Sequence, residues 1–543
     1  MVVLLFPMRL RSRYFAIAAS LFFVLAGQAF IPLLGVEDDE ALFGMAFLKP
    51  RYSATIRIGH STLPLMIMTY LGTLKAWIYR PILKWFHPGA WSLREPMLLA
   101  GALSIWLFYL LLKRMAGERA AIIGSILLAT DSVYLLTTCF DWGPVTLQHL
   151  LIIGGLWLLL RFYQEQTSGS LAAGAFLLGL ALWDKALAAW MLSGMGIAAL
   201  LLFWRQIRGL ITWRRAAICV AAFLLGSLPL WTYNVRNDWA TFRGNFHRTF
   251  SEFPGKTEVL RVTLNGQGLL GYLAAEDSGT APPHQPSGAL QNVSARIAAL
   301  SGEPRHHLGL YALGSAILLI PFAGRDGRRA LLFALIAMSV AWVQMAITAN
   351  AGGAVHHTIL LWPLPQLVVA VSFAAASERL GRAGKPLICA VVAVLAVSGV
   401  LLTNEYYYKM FRNGPTSLSW SEAIFPLNTY VQTLPATNVY CLDWGILDSL
   451  RYLSWGRLPL VGSDARFTKQ ELTAEDHEAI AKIVSNLGNL YVAHAKEVEI
   501  FPDNQRFLIL AAASGYRPDR LAVIDDSFGH PTFEVYRLVP ASQ

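Results

Sequence analysis

Eleven apolar segments dominate this sequence and restrict what it can fold into. Each is close to the roughly 20 residues that an α-helix needs to cross a bilayer, and most contain no charged residue. Only 14% of the chain is charged, whereas a soluble globular protein carries about 25%. A soluble enzyme, a coiled coil and a disordered chain are therefore excluded. The segments cover residues 14–34, 96–112, 120–138, 144–160, 170–183, 186–204, 216–233, 308–324, 330–349, 357–377 and 386–403.

The connections between these segments differ in charge. Seventeen lysines and arginines lie in one set, whereas the short loops 139–143, 184–185 and 350–356 of the other set hold one, Lys185. Positively charged loops stay in the cytoplasm. We therefore expect a multi-pass protein of the plasma (inner) membrane, with a cytoplasmic N-terminus and an extracytoplasmic (periplasmic) C-terminal domain. The net charge of +10 is then explained by the basic residues of the cytoplasmic loops and gives no reason to expect nucleic-acid binding. We therefore expect membrane lipids and no nucleic acid as partners.

Three polar blocks fall on the outer face in this orientation. Residues 35–95 and 234–305 belong to the transmembrane domain, residues 1–403, and the second block has the Gly, Pro, Ser and Asn content of a long loop. Within the first block, residues 61–86 are apolar but carry Lys75 among other cations and several aromatic residues. This combination favours a helix lying in the membrane interface over a further span.

The last block, residues 404–543, is long enough for a small domain of its own. Its pattern alternates strand-like runs with helical stretches, which predicts an extracytoplasmic α/β module. The strand-like runs are 438–442, 489–492, 521–524 and 532–537, and the helical stretches lie near 469–486 and 497–514.

Acidic residues cluster at the start of the first outer block. The run from Glu37 to Glu40, which includes Asp39, directly follows the first span. Adjacent carboxylates raise one another's pKa unless a cation is present, so this run suits a general base, a divalent metal ligand, or both. The alternative is a solvated loop whose charges favour the start of a helix. Asp141, in the short loop 139–143, is either functional or the N-cap of the next helix.

Basic and histidine side chains lie on the same face. Lys185 occupies a tight outer turn, where it can contact a phosphate or pair with a carboxylate. His356 and His357 follow two glycines that allow close backbone approach, and adjacent histidines suit contact with an anion better than chelation of zinc. Arg57 and His60 add positive charge to the first outer block, the alternative for each being an ordinary surface residue.

This combination of side chains is what transfer from a lipid phosphate requires. A carboxylate deprotonates the acceptor, while cations or a metal ion stabilise the departing phosphate. The lipid tail of such a substrate can lie between the apolar helices.

Several motifs resemble those of the GT-C membrane glycosyltransferases, of the dolichyl-phosphate-mannose protein mannosyltransferase and aminoarabinose transferase type. Residues Asp39–Phe43 (DEALF) resemble the motif that opens the first outer loop of that family. Residues Leu178–Lys185 resemble the end of its fifth helix, and His356–Pro363 resemble a later outer loop that leads into a helix. The order and spacing of these motifs carry the resemblance, which covers residues 10–240 well and 340–375 more weakly.

The resemblance implies a GT-C fold of about eleven transmembrane helices and an inverting sugar transfer on the extracytoplasmic face. The donor would be a polyprenyl-phosphate sugar, with a mono- or diphosphate carrier, and the acceptor a lipid, a glycan or a protein. Asp39 matches the catalytic base, supported by Glu40, and Asp141 matches a second acidic residue that orients the acceptor or binds a divalent metal together with Asp39. Lys185 and His356 would contact the donor phosphate, and His357, Arg57 and His60 are further candidate substrate-binding residues.

The chain departs from the family pattern at three places. Asp184 stands where the family usually has a threonine before its lysine, and Ala186 replaces the glycine after that lysine. The segment Ser61–Leu63 lacks the lysine of the corresponding family segment, and no arginine shortly precedes Asp141.

Two other functions remain open on the sequence. An O-antigen-type polymerase or ligase would place its catalytic residues in one large outer loop, which makes Arg243, His247 and Arg248 the residues to test. A lipid-linked sugar flippase or transporter would show internal symmetry and charges near the bilayer midplane. Of these features the sequence offers only Asp131, inside the third apolar segment, which is either functional or a structural hydrogen-bonding group.

Overall fold

The computed structural model describes residues 8–48, 54–245, 247–279, 282–469 and 471–541. The first part of the chain forms one apolar helix, a short acidic helix, a hairpin and three further helices. Their bounds are α1 Met8–Phe30, α2 Asp38–Met45, β1 Ala54–Ile58, β2 Ser61–Met66, α3 Leu74–Trp85, α4 Ala90–Ala129 and α5 Ser132–Cys139. The hairpin strands are antiparallel.

Helix α4 contains a break that divides it into two spans. Gly117 has φ 86° and ψ −177°, a backbone conformation that residues with a side chain rarely adopt. The break falls in the turn after Lys113 and Arg114, where the sequence places the second cytoplasmic loop. The predicted second span therefore lies before Gly117, and the third span lies after it and continues into α5.

The middle of the chain is helical in its apolar segments and in parts of its second outer block. The helices are α6 Thr146–Glu165, α7 Ser168–Asp184, α8 Ala188–Leu210, α9 Trp213–Arg236, α10 Ala240–Asn245, α11 Phe253–Leu264, α12 Ala289–Ser301, α13 Gly309–Leu318, α14 Arg325–Ala346, α15 Val355–Thr358, α16 Leu364–Arg379 and α17 Gly384–Asn413. The interpretation of 234–305 as a long loop is thus wrong in part, because α10, α11 and α12 fall within it. Helix α17 continues past residue 403, so the division between residues 403 and 404 lies inside a helix.

This is a multi-pass membrane protein. Among the described residues, eight helices are long and apolar enough to cross a membrane, counting residues 355–379 as one and α4 as one. Two shorter apolar helices are α7 and α13. With the two halves of α4 counted separately, each of the eleven predicted segments coincides with a helical segment.

The interfacial helix expected over residues 61–86 is shorter than predicted. Residues 61–66 form strand β2, and only α3 is helical. Helix α3 exposes Trp77 and Trp85 on one face and buries Lys75 and Tyr79 on the other. The assignment of Lys75 to the membrane interface is therefore wrong, because its side chain is directed into the protein.

The C-terminal part is a mixed α/β module with a five-stranded sheet. Its strand order is β4-β3-β5-β7-β6; β3 is parallel to β4 and β5, and β7 is antiparallel to β5 and β6. The predicted runs match all strands except β4. The elements are α18 Ile424–Thr433, β3 Val439–Cys441, α19 Leu447–Leu453, β4 Leu460–Gly462, α20 Ala474–Val484, β5 Leu490–His494, α21 Asp503–Ala513, β6 Tyr516–Asp525 and β7 Pro531–Pro540.

The sheet joins two hydrophobic cores because its side chains alternate between faces. Val439, Val492 and Val535 belong to the same core as the membrane helices. Tyr491 and Tyr536 point the other way and form a separate core with α20 and α21. The module is therefore fixed to the transmembrane domain through one sheet face, and its helix α19 lies against α2.

Candidate active site

The acidic run after α1 forms the beginning of α2. Glu37 is the N-cap residue, and its carboxylate accepts a hydrogen bond of 3.1 Å from the backbone N–H of Glu40. Glu37 and Glu40 are buried, whereas Asp39 is partly exposed. Among the described residues, no hydrogen bond or ion pair engages the carboxylate of Asp39. Asp39 is therefore the member of the run whose carboxylate is not already engaged by a described residue.

Glu40 is held by a buried arginine. The Nε and Nη2 atoms of Arg94 each lie 2.9 Å from one carboxylate oxygen of Glu40. The same guanidinium donates to the backbone carbonyls of Ile31, Leu34 and Gly35. This bidentate pair fixes the chain between α1 and α2, so Glu40 positions the loop that carries Asp39.

The surroundings of Asp39 make it a stronger base than an exposed aspartate. Burial raises its pKa to about 6, with a further contribution from the negative charge of Asp448, while Lys185 acts in the opposite direction. Asp448 lies in α19, and its backbone N–H donates to Oδ1 of Asp38 at 2.9 Å. The outer module thus contributes a charge to the environment of Asp39.

Asp141 is buried and fully engaged by its own loop and by a lysine. Its Oδ1 accepts hydrogen bonds from the backbone N–H groups of Val145 at 2.8 Å and Thr146 at 3.4 Å, at the start of α6. Its Oδ2 lies 3.1 Å from Nζ of Lys75, which also donates to the Asp141 carbonyl at 2.6 Å. Lys75 was not predicted as a site residue from the sequence. It could have been found because Lys75 shares the buried face of α3 with Ala76 and Tyr79, and a buried lysine needs a partner of opposite charge.

Lys185 connects the turn between α7 and α8 to this loop. Its Nζ donates to the carbonyl of Gly143 at 2.5 Å, and burial lowers its pKa to about 8. The turn itself is fixed by backbone pairing, because Lys185 forms a bridge with Leu71 and the N–H of Ala186 donates to the carbonyl of Tyr70. A buried ammonium group is therefore held near both Asp39 and Asp141.

His356 packs against the same loop. Its ring lies 5.6 Å from that of Trp142 and 4.3 Å from that of His357. A side chain at Gly143 would approach the His356 ring to 2.6 Å, so a glycine is needed there. The loop 141–143 is thus the point at which the Asp141, Lys185 and His356 segments meet.

An aromatic cluster extends from His356 towards the outer module. The ring of Trp142 lies 5.8 Å from that of Tyr272 and 5.5 Å from that of Trp420. Burial raises the pKa of Tyr272 to about 12, and Asp39 contributes to this increase. Neither Tyr272 nor Trp420 was predicted, because they come from the second outer block and from the segment after α17.

The chain is similar to one known family in sequence and to two solved proteins in fold. Residues 72–231 match the family described as dolichyl-phosphate-mannose-protein mannosyltransferase. The structure is similar to that of ArnT from Cupriavidus metallidurans, solved in the apo state and bound to undecaprenyl phosphate. Both comparisons give a TM-score of 0.57 at 16% identity; each covers 96% of this chain and 97% or 98% of ArnT. The chain has the GT-C fold.

A second GT-C structure, an apo oligosaccharyltransferase from Archaeoglobus fulgidus, matches with a TM-score of 0.52 at 12% identity. It covers 94% of this chain and 73% of the archaeal protein. No curated protein matches by sequence. The family match and the GT-C fold together confirm the resemblance and support a membrane glycosyltransferase.

Three further groups of predicted residues lie on the protein surface or make other contacts. Arg57 and His60 are exposed on the β1–β2 hairpin. Arg243, His247 and Arg248 are exposed after α10, beside the chain that follows α14. Asp131 is buried; it caps α5 through Tyr134 and accepts hydrogen bonds from two side chains of the α16 region.

The arrangement does not fit a metal ion held by Asp39 and Asp141. One oxygen of Asp141 accepts two backbone N–H groups and the other faces the ammonium group of Lys75. Across the described ranges of the chain, no three His, Cys, Asp or Glu side chains are grouped as a metal site requires. The site as built therefore offers a base and cations, which suit chemistry at a phosphate ester.

Proposed function

We propose that this GT-C protein transfers a sugar from a polyprenyl-phosphate donor to the hydroxyl group of a lipid, glycan or protein acceptor. The observation that carries the proposal is the carboxylate of Asp39, which has no partner among the described residues, has a raised pKa and interacts with the charge of the buried ammonium group of Lys185. A base and a cation are the two groups that such a transfer needs on either side of the sugar.

The reaction is a single displacement. Asp39 removes the proton from the acceptor hydroxyl as its oxygen attacks the anomeric carbon. The bond between that carbon and the phosphate oxygen breaks, and its electron pair leaves with the lipid phosphate. Because the acceptor attacks from the side opposite the phosphate, the configuration of the sugar inverts.

Lys185 and His356 are the proposed contacts of the departing phosphate. Among the described residues the ammonium group of Lys185 donates only to a backbone carbonyl and forms no ion pair, so it can face an anion, whereas the charge of Lys75 is matched by Asp141. An ammonium group in a buried site stabilises the growing negative charge more than it would in water. His357 is assigned to the same donor end, since its ring is in contact with His356.

The acceptor is proposed to enter from the outer module. Helix α19 borders α2, and the exposed Arg57 and His60 provide polar contacts on the first outer block. We assign residues 1–403 to donor binding and catalysis and residues 404–543 to the acceptor side. Loop charge supports an inner-membrane location with the N-terminus in the cytoplasm and this module outside.

The proposal is tested with the purified protein in lipid nanodiscs. Native mass spectrometry is expected to detect a co-purified polyprenyl-phosphate sugar. With undecaprenyl phosphate bearing a radiolabelled hexose or pentose, replacing Asp39→Asn is expected to lower transfer by about 10²–10⁴-fold while donor binding persists. The matched control is Asp277→Asn, an exposed outer-face aspartate whose loss should leave transfer unchanged. Full activity of the Asp39→Asn protein would remove Asp39 from the mechanism.

A further inference from the structure

A cavity with three buried polar side chains lies inside the membrane domain, and none of Asp39, Asp141, Lys185 and His356 lines it. It is bounded by Asp131 at the junction of α4 and α5, by His307 before α13, by Gln366 on α16 and by Gly399 on α17. Most of the remaining lining is apolar. Asp131, His307 and Gln366 are only 6%, 6% and 7% exposed, so their polar atoms depend on partners inside the protein.

Asp131 is already satisfied by protein donors. Its Oδ1 accepts from the backbone N–H of Tyr134 at 2.9 Å, and its Oδ2 accepts from Nε1 of Trp362 and Nε2 of Gln366, each at 2.9 Å. Because the amide nitrogen of Gln366 is used in this way, its Oε1 faces elsewhere, and that oxygen has no partner among the described residues. The cavity therefore contains a free hydrogen-bond acceptor.

His307 supplies the matching donor. Its Nδ1 accepts a hydrogen bond of 2.9 Å from the backbone N–H of Gly309, so the proton of the neutral ring is on Nε2. Nε2 has no partner among the described residues. The ring is held between Gly266 and Gly309, where an added side-chain carbon would come within 2.4 Å and 2.5 Å of it. The direction of this donor is therefore fixed by packing.

An apolar groove leads from this cavity to the lipid-facing surface. Ala312 and Leu395 line both the cavity and the groove, which continues between α13, α16 and α17 past Tyr311 and Val394. Tyr311 is 65% exposed, and Val394 is also exposed. In a bilayer this surface contacts hydrocarbon, so the groove suits an acyl or isoprenoid chain.

We infer that this cavity and groove bind a neutral membrane amphiphile with one hydroxyl group, such as a long-chain or isoprenoid alcohol. The hydroxyl accepts a hydrogen bond from Nε2 of His307 and donates its own to Oε1 of Gln366, and the hydrocarbon tail fills the groove. A phosphate or carboxylate head would meet the negative charge of Asp131, and an ammonium head has no acceptor for His307. This site is separate from donor phosphate binding and does not depend on the proposed sugar transfer.

The test is photolabelling of the full-length protein in nanodiscs with hexadecanol that carries a diazirine group. Saturable labelling of peptides from α13 and α17 is expected, with unlabelled hexadecanol competing and hexadecanoic acid competing at least about tenfold less well, the factor expected for one unfavourable buried contact of about 1.4 kcal/mol. Labelling spread evenly over all lipid-facing helices, or equal competition by the acid, would overturn the inference.

Two variants on one helix separate the cavity from the general lipid surface. Ala312→Phe fills the wall shared by cavity and groove and is expected to lower labelling about tenfold or more. Leu318→Phe places the same aromatic side chain on the same helix at a residue that is 78% exposed, and labelling should be unchanged. If Ala312→Phe unfolds, Gln366→Met removes the acceptor at similar volume and should lower labelling by about fivefold or more. Unchanged labelling in a folded variant of either kind would contradict the inference.

Discussion

The backbone N–H of Asp448 donates a 2.9 Å hydrogen bond to Oδ1 of Asp38, which joins residues 410 positions apart in the chain. Asp448 also pairs with Arg451 at 2.6 Å. The contact fixes the outer module beside the loop that carries Asp39. It also brings the negative charge of Asp448 near the Asp39 carboxylate, where it contributes to the raised pKa of Asp39.

The first prediction concerns the pH dependence of transfer. If Asp39 is the base, its ionised form is required, so kcat/KM should fall as pH decreases through about 6, the raised pKa of Asp39. Replacing Asp448→Asn removes a negative charge that raises this pKa, and the acidic limb should therefore move to lower pH. The measurement is kcat/KM between pH 4.5 and 8 for both proteins. If kcat/KM falls at the same pH in both proteins, Asp448 does not act on the catalytic base.

The second prediction concerns stability. Glu40→Gln leaves the buried guanidinium of Arg94 without its carboxylate partner, and breaking such a pair costs about 3–5 kcal/mol. The unfolding temperature in detergent should fall strongly, and transfer should be lost with it because the loop carrying Asp39 is released. Glu165→Gln breaks partly exposed pairs with Arg114 and Arg161, so it should change the unfolding temperature little. Equal behaviour of the two variants would show that the buried pair does not hold the loop.

The sequence was sufficient for the apolar helices but not for α10–α12 or for the contacts between helices. An apolar run of about 20 residues is a local signal, so hydropathy locates every span, and Gly117 marks the break in α4. Lys75 was misassigned because its burial depends on Asp141, which lies 66 positions away. Trp420 and Asp448 reach the site only after the outer module docks, and no pattern within their own segments indicates that contact.

The third prediction separates this proposal from a polymerase or ligase that uses the large outer loop. Arg243→Ala, His247→Ala and Arg248→Ala remove exposed side chains after α10, so each should retain most of the transfer activity seen with the natural chain. Asp39→Asn measured in the same preparation provides the inactive reference. Loss of activity in the loop variants, with Asp39→Asn active, would favour the polymerase or ligase.

The fourth prediction distinguishes the two buried lysines by their partners. Lys185→Met removes the cation proposed to contact the donor phosphate, so KM for the lipid-phosphate donor should rise by about 10–100-fold, the range for one lost hydrogen bond to a charged group. The unfolding temperature should be retained or increase, because burial disfavours the charged form of Lys185. Lys185→Arg should restore only part of the affinity, since a guanidinium differs from an ammonium group in size and geometry.

Lys75→Met is the matched comparison, since it removes the same charge from the same buried region. It leaves the carboxylate of Asp141 without its ion-pair partner. The free energy of unfolding should therefore decrease by about 3–5 kcal/mol, and the unfolding temperature should fall. Donor titrations and thermal unfolding of both variants make the comparison. If Lys185→Met unfolds at lower temperature with an unchanged KM, its ammonium group stabilises the loop 141–143 through the Gly143 carbonyl and takes no part in donor binding.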